Sequence, residues 1–139
     1  MGPRESLNAY LKQTRGVTFQ WGLHDCLTFT NNAFHAMYGE GWADDWLDRY
    51  MVDGRPMKRY ELKKEFGFCP SKFADKIGER LDRVNFVPPL GALVMTDQGE
   101  RWIIGGAMGI CTGTKCVFLS KKGVVHLPLD AIKQAWIKR

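Results

Sequence analysis

Apolar residues recur at helical spacing in the first part of the chain, which predicts two amphipathic helices there. The apolar positions of the opening helix are Leu7, Tyr10 and Leu11. The second helix is predicted to begin near Cys26 and to end at Tyr38 and Gly39, since a glycine suits a helix C-cap. Its apolar residues repeat every three or four positions, so we expect one of its faces to be buried.

The middle of the chain, residues 40–85, has the pattern of short helices. The predicted segments are 43–51 (ADDWLDRYM), 56–67 (PMKRYELKKEFG) and 70–81, which opens at Pro70. Asp44 and Asp45 stand early in the first of these segments, where carboxylates suit the helix dipole. They therefore need no catalytic role.

After Pro88 and Pro89 the pattern changes to short strands separated by turns. The predicted strands are 91–95 (GALVM), 101–104 (RWII), 107–111 (AMGIC), 116–120 (CVFLS) and 124–128 (VVHLP). The C-terminal segment 135–139 (AWIKR) is interpreted as a final edge strand or a docking tail. Helices followed by strands indicate an α+β fold in a single domain, 1–139, with a helical part at 1–85 and a β-meander at 91–138.

Composition fits one soluble globular domain, with 139 residues of which 45% are hydrophobic and 25% charged. No run approaches the roughly 18 apolar residues of a membrane helix, and the N-terminus lacks the apolar block of a signal peptide. We therefore expect synthesis in a cytosol and no membrane partner. The net charge of +5 is spread along the chain among acidic residues, which favours a solvated surface over a specific nucleic-acid site.

The four cysteines are scattered along the sequence and are predicted to be free thiols. Only Cys111 and Cys116 are close to each other, and no second Cys or His pair at zinc-finger spacing accompanies them. We predict no metal site and no cofactor.

The stretch FQWGLHDCLTF places Cys26 directly after Asp25 at the predicted helix start. A thiolate is stabilised there by unpaired N–H groups and by the helix dipole, so Cys26 is a candidate nucleophile. The alternative is a small buried cysteine at a helix start that is capped by Asp25. Residue types alone leave both interpretations open.

The sequence resembles the NlpC-type branch of the papain-like cysteine peptidases, and more closely its phage tail-tip proteins. An aromatic-x-x-Gly loop running into Asp-Cys is matched by Phe19, Gly22, Asp25 and Cys26. The family's Gly-Asp before a strand is matched only in part, at Gly91. Its strand of the form His-Val-Gly-Ile-x-x-Gly corresponds to 107–113 (AMGICTG), where the fit is good except at the first residue.

The resemblance implies a papain-like fold in which the helix bearing Cys26 packs on an antiparallel sheet. It places the general-base histidine at Ala107 and the residue that orients it near Leu119, so both partners are apolar here. His24 and His126 are the candidate surrogate bases. His35 lies about 13 Å along the helix from Cys26 and cannot reach its thiol.

Two functions from different classes follow. In the first, the protein is a structural component of a siphophage tail tip with a degenerate peptidase fold, and acts in tail assembly and host-cell attachment or entry. Its partners are other tail-tip and tail proteins, its location is the virion, and Trp42 and Trp46 form either a contact patch or part of the core. In the second, it is an active cysteine hydrolase that cleaves peptidoglycan stem peptides during phage entry. A third interpretation, a small basic nucleic-acid binder, lacks an aromatic and basic platform.

Overall fold

The computed structural model of the protein describes residues 2–98, 102–103 and 106–139. The described part is a mixed α+β fold, which confirms the predicted α+β class. Its helices are α1 (Pro3–Thr14), α2 (Cys26–Tyr38), α3 (Arg59–Phe66) and α4 (Phe73–Gly78). Its strands are β1 (Met51–Val52), β2 (Arg55–Pro56), β3 (Asp82–Val84), β4 (Leu93–Thr96), β5 (Ala107–Cys111), β6 (Lys115–Ser120), β7 (Gly123–Pro128) and β8 (Gln134–Ile137). None of the helices within these residues is long and apolar enough to cross a membrane.

Six strands form one antiparallel sheet in the order β3-β8-β4-β5-β6-β7, and β1 pairs with β2 alone. The meander prediction is confirmed for β4 to β7, which are neighbours in chain order. The prediction of a final edge strand is wrong, because β8 lies between β3 and β4. The sequence pattern gave no sign of the three-residue strand β3, which covers the outer side of β8.

The predicted helix over 43–51 is also wrong, since residues 42–50 form a succession of turns. Side chains of α2 hold this segment: Asn31 accepts a hydrogen bond from the Ala43 N–H (2.7 Å) and donates one to the Asp44 carboxylate (2.8 Å). Asp44 also accepts from the Gly41 N–H at 3.1 Å, and Asp48 has a positive φ of 66°. These local bonds replace the helical ladder.

The predicted strand at 101–104 falls partly outside the described residues. Within it, Trp102 is buried, and its main-chain N–H donates to the Gly106 carbonyl at 3.2 Å.

Helices α1 and α2 cover one face of the sheet, and α2 packs on β5. Side chains alternate along β5, so Met108 and Ile110 join the core cluster that contains Cys26. Ala107 and Cys111 belong to a second cluster on the opposite face of the sheet. The expected packing of the Cys26 helix against this strand is therefore present.

Candidate functional site

Asp25 caps α2 and fixes the position of Cys26 at the first helical residue. One carboxylate oxygen, Oδ1, accepts from the N–H groups of Leu27 (2.9 Å) and Thr28 (3.0 Å). The Thr28 hydroxyl oxygen accepts in turn from the Asp25 N–H at 2.8 Å, which completes a capping box. The predicted capping role of Asp25 is confirmed.

The second carboxylate oxygen of Asp25 is bound by two groups from elsewhere in the chain. The Gly22 N–H donates to it at 2.9 Å, and the Tyr50 hydroxyl donates to it as well. Asp25 and Tyr50 are both buried. Burial raises the pKa of Tyr50, and the negative charge of Asp25 adds to this effect, so the phenol stays protonated as a donor.

The Cys26 side chain is enclosed in the core, with 1% of the residue exposed. Burial raises the pKa of its thiol, and the nearby charge of Asp25 raises it further. Main-chain hydrogen bonds at Met108, Cys26 and Leu27 favour the thiolate, but they do not outweigh the cost of removing it from water. Cys26 is therefore a neutral thiol at physiological pH.

None of the three histidines, all of which are described, is among the groups that act on the Cys26 thiol. His24 lies in a tight turn closed by two hydrogen bonds with Gln20. Its ring meets the edge of Phe29 with centroids 5.9 Å apart, and its Nε2 has no hydrogen-bond partner in the described part of the chain. Burial lowers the pKa of His24, although Asp25 opposes this.

The other two histidines lie on the surface. His126 is exposed on β7 opposite Val117 and lines a groove beside α1. His35 is exposed on α2, where its Nε2 lies 2.7 Å from a carboxylate oxygen of Asp44. The interactions of these two rings give neither of them a role at Cys26.

The two positions that the resemblance assigns to a base and its orienting group lie on opposite faces of the sheet. Ala107 is buried in the cluster of the far face. Leu119 is buried on the helix side, where it packs with Phe29 and Val117. On β5 it is the next residue, Met108, whose side chain shares a cluster with Cys26. The structure thus brings Met108, rather than Ala107, to the Cys26 side of the sheet.

Trp42 and Trp46 were predicted to form either a contact patch or part of the core, and both lie in the core. They are 5% and 6% exposed, and their rings meet edge to face at 5.5 Å. Arg80 covers the outer side, with its guanidinium 3.9 Å from the Trp46 ring and bonded to the Asp45 carboxylate. The single chain itself buries the surface that the contact patch would need.

All four cysteines are free thiols, as the sequence predicted. Cys111 and Cys116 lie directly opposite each other on β5 and β6, and both are buried. A hydrogen bond between the two side chains lowers the pKa of Cys111, and the same bond together with burial raises that of Cys116. Among the described residues, no group of three or more His, Cys, Asp or Glu side chains is arranged to hold a metal ion.

Tyr50, whose hydroxyl donates the remaining hydrogen bond to the Asp25 carboxylate, was not among the residues predicted from the sequence. The two residues are 25 positions apart, and Tyr50 lies in a segment with a helical pattern. No local signal in the sequence connects them, because their contact depends on the turns that replace the predicted helix.

Neither a curated protein nor a solved structure matches the chain. One family model does match, and it covers residues 3–137, which is almost the whole chain. Because this match spans almost the whole chain, the protein belongs to the family, which is described as a domain of unknown function, DUF6950.

Proposed function

We propose that the protein is a structural component of a siphophage tail tip, built on a degenerate NlpC-like fold. It acts there in tail assembly and in host-cell attachment or entry, in contact with other tail proteins. The observation that carries the proposal is the buried, neutral thiol of Cys26, which has no histidine among the groups that act on it.

A cysteine peptidase needs a thiolate, a base and an orienting group in contact with one another. The thiolate–imidazolium pair supplies both the low pKa of the nucleophile and the proton for the leaving amine. In this chain burial and the charge of Asp25 raise the pKa of Cys26, while Asp25 itself is held by the helix cap and Tyr50. The site therefore has the packing and hydrogen bonding of a stable core.

Two features support the NlpC-like part of the proposal. Cys26 begins a helix that packs on the antiparallel sheet, as the resemblance implies. The strand that the helix contacts, β5, carries the Gly109-Ile110 motif of the resemblance. Gly109 has no room for a side chain, since a Cβ there would lie 2.3 Å from the Val117 carbonyl oxygen. The phage tail assignment rests on the sequence resemblance.

The location is tested by mass spectrometry of purified particles from the phage that encodes the chain. We expect the protein in mature virions at low, fixed copy number, and in tail-tip fractions after the tails are dissociated. Phage carrying Cys26→Ser should remain infectious, because the thiol has no chemical role. Absence of the chain from mature particles would contradict the structural assignment.

The alternative is an active cysteine hydrolase that cuts peptidoglycan stem peptides. Its support is the position of Cys26 in the first helical turn, where main-chain hydrogen bonds at Cys26, Leu27 and Met108 favour the thiolate. Incubation of the purified protein with cell-wall sacculi, followed by chromatography of the released peptides, separates the two functions. Release that is lost in Cys26→Ser would establish the hydrolase, and we expect none.

A further inference from the structure

Strand β7 forms one edge of the six-stranded sheet, and among the described strands only β6 pairs with it. The opposite edge, β3, has three residues, and Arg139 bonds to Asp82 at its start at 2.9 Å. β7 is twice as long, with six residues. An open edge is a template for pairing with another chain, so β7 is where an added strand has room.

The direction of the main-chain groups on β7 follows from the neighbouring hairpin. The Thr112 N–H donates to the Lys115 carbonyl at 2.8 Å, so Lys115 directs its main-chain groups toward β5. Successive residues point to opposite sides, so Val117 also faces β5. Its β7 partner, His126, therefore turns its N–H and C=O groups outward, and Val124, two residues earlier, does the same.

These outward groups have no hydrogen-bond partner within residues 2–98, 102–103 and 106–139. Pro128 occupies the next outward position and has no N–H to leave unpaired. The open edge thus presents N–H donors at Val124 and His126, with carbonyl acceptors at both positions. This is the pattern that an added strand uses.

A groove of about 610 Å³ lies beside this edge, between α1 and the sheet. Leu11, Val117 and Val124 supply its apolar lining, and its charge comes from Lys12 in the last turn of α1 and from Arg15, the residue after the helix. The Arg15 carbonyl oxygen lies close to the β6–β7 turn, 3.3 Å from where a Cβ on Gly123 would stand. A strand paired with β7 would direct every second side chain into this groove.

The charge of the groove indicates which kind of partner would be attracted to it. None of its lining residues is acidic, and Lys12 and Arg15 form no ion pair within the described part of the chain. A second copy of this chain would bring another net charge of +5. Charge complementarity therefore favours an acidic partner over a second copy.

We propose that β7 and the adjacent groove bind an extended acidic segment of a partner protein, which adds as a strand to β7 and places carboxylates against Lys12 and Arg15. The proposal deepens the structural role given above and rests on it for one point, that the partner belongs to the same particle. The strand pairing itself is a property of this chain and is tested on the purified protein.

The probe is the labelled peptide acetyl-Thr-Glu-Val-Glu-Val-Glu-Thr-amide, titrated with the full-length protein and followed by fluorescence anisotropy. We expect saturable binding that weakens as sodium chloride rises from about 50 to about 300 mM, because salt screens the attraction. The same peptide with Lys in place of each Glu should not bind. Amide exchange at Val124 and His126 should slow when the Glu peptide is bound.

Two pairs of variants separate charge from strand pairing. Lys12→Glu should weaken binding about tenfold or more, while Lys64→Glu, the same charge change at an exposed site on α3, should not. Val124→Pro removes an outward N–H without removing a bond to β6, so it should abolish binding. Val124→Thr keeps that N–H and should retain binding. Thermal melts of all four variants show whether the fold is intact.

Several results would overturn the proposal. Absence of binding, or equal binding of the Lys peptide, would exclude the acidic strand. Binding of a mixed-sequence oligonucleotide that Val124→Pro leaves intact would assign the groove to phosphate. A dimer that Val124→Pro disrupts would assign β7 to a second copy. Binding of the Glu peptide by a chain that is absent from virions would refute the tail-tip function alone, and presence in virions without binding would refute the strand pairing alone.

Discussion

The start of α2 and the sheet edge at β7 differ in how their polar groups are placed. Around Cys26 the polar groups are enclosed: Asp25 is fully buried and accepts hydrogen bonds from Leu27, Thr28, Gly22 and Tyr50. Along β7 the main-chain groups of alternate residues face outward, beside a groove whose two cations form no ion pair with any described residue.

The difference separates the part of the chain that resembles an enzyme from the part suited to binding. A catalytic cysteine must be accessible and paired with a base, whereas Cys26 is sealed and neutral. A binding edge must leave hydrogen-bonding groups unsatisfied until a partner arrives, and the outward main-chain groups of Val124 and His126 have no partner among the described residues. We infer that the resemblance marks a retained scaffold, and that interaction takes place at the edge of the sheet.

The strongest test of the enclosed region is removal of its central carboxylate. Asp25→Ala removes the cap of α2 and leaves the Tyr50 hydroxyl buried without its acceptor. We expect the free energy of unfolding to fall by about 3 kcal/mol, the sum of a lost cap and an unsatisfied buried group. Urea denaturation measures the loss.

Asp75→Ala, at an exposed aspartate on α4, is the matched control and should change stability by less than about 0.5 kcal/mol. Equal losses in the two variants would mean that the Asp25 network contributes no special stability. The enclosed region would then differ from β7 in exposure alone.

The second test asks whether the site is one substitution away from an enzyme. Ala107→His restores the residue that the resemblance expects, but its side chain belongs to the far face of the sheet. We expect a loss of about 1–3 kcal/mol from overpacking and a buried polar ring, with no change in the pH dependence of Cys26 alkylation. Mass spectrometry of the Cys26 peptide follows that reaction.

Val94→His is the control for the burial of an imidazole, since Val94 lies in the same far-face cluster as Ala107. Cys26 alkylation that persists into acid in Ala107→His but not in Val94→His would show that position 107 does reach the thiol. The assignment of the Ala107 side chain to the face of the sheet opposite Cys26 would then be wrong.

The sequence predicted the elements with strong local signals. Helix α2 was found with its cap at Asp25 and its C-cap at Gly39, because periodicity and capping chemistry are local. Strands β4 to β7 were found because short apolar runs alternate with turn residues. The turns at 43–51 were not predicted, because they depend on hydrogen bonds to the side chain of Asn31, which lies in another element.

The candidate site was predicted less completely than the fold. Cys26 and Asp25 were found from their order in the sequence, but the burial of the thiol depends on packing from β5, and the role of Tyr50 on a distant contact. No feature of the sequence indicated that β7 would form an open edge of the sheet. Which strand ends a sheet is decided by the position of β8, which returns to the opposite side of β4.

The third test compares the reactivity of two thiols in one molecule. Cys69 is half-buried, and a hydrogen bond with Ser71 lowers the pKa of its thiol, whereas burial raises that of Cys26. We expect iodoacetamide at pH 7 to modify Cys69 at least about a hundredfold faster, since each pKa unit changes the thiolate fraction about tenfold. Peptide mass spectrometry over time gives both rates. Comparable rates would show that Cys26 is accessible and would reopen the enzymatic alternative.

The smallest expected effect is the pH dependence contributed by His24. Burial lowers its folded pKa below the ordinary value of 6.5 for a histidine, so the unfolded chain takes up this proton first as the pH falls. Its contribution to stability is therefore complete above about pH 6.5 and is lost as the pH falls toward the folded pKa. The unfolding free energy of His24→Gln should thus decline less between pH 7 and pH 5 than that of the unmodified chain. If His24→Gln shows the full decline as well, the ring is not held neutral by the core, and the enclosed region extends only as far as Asp25.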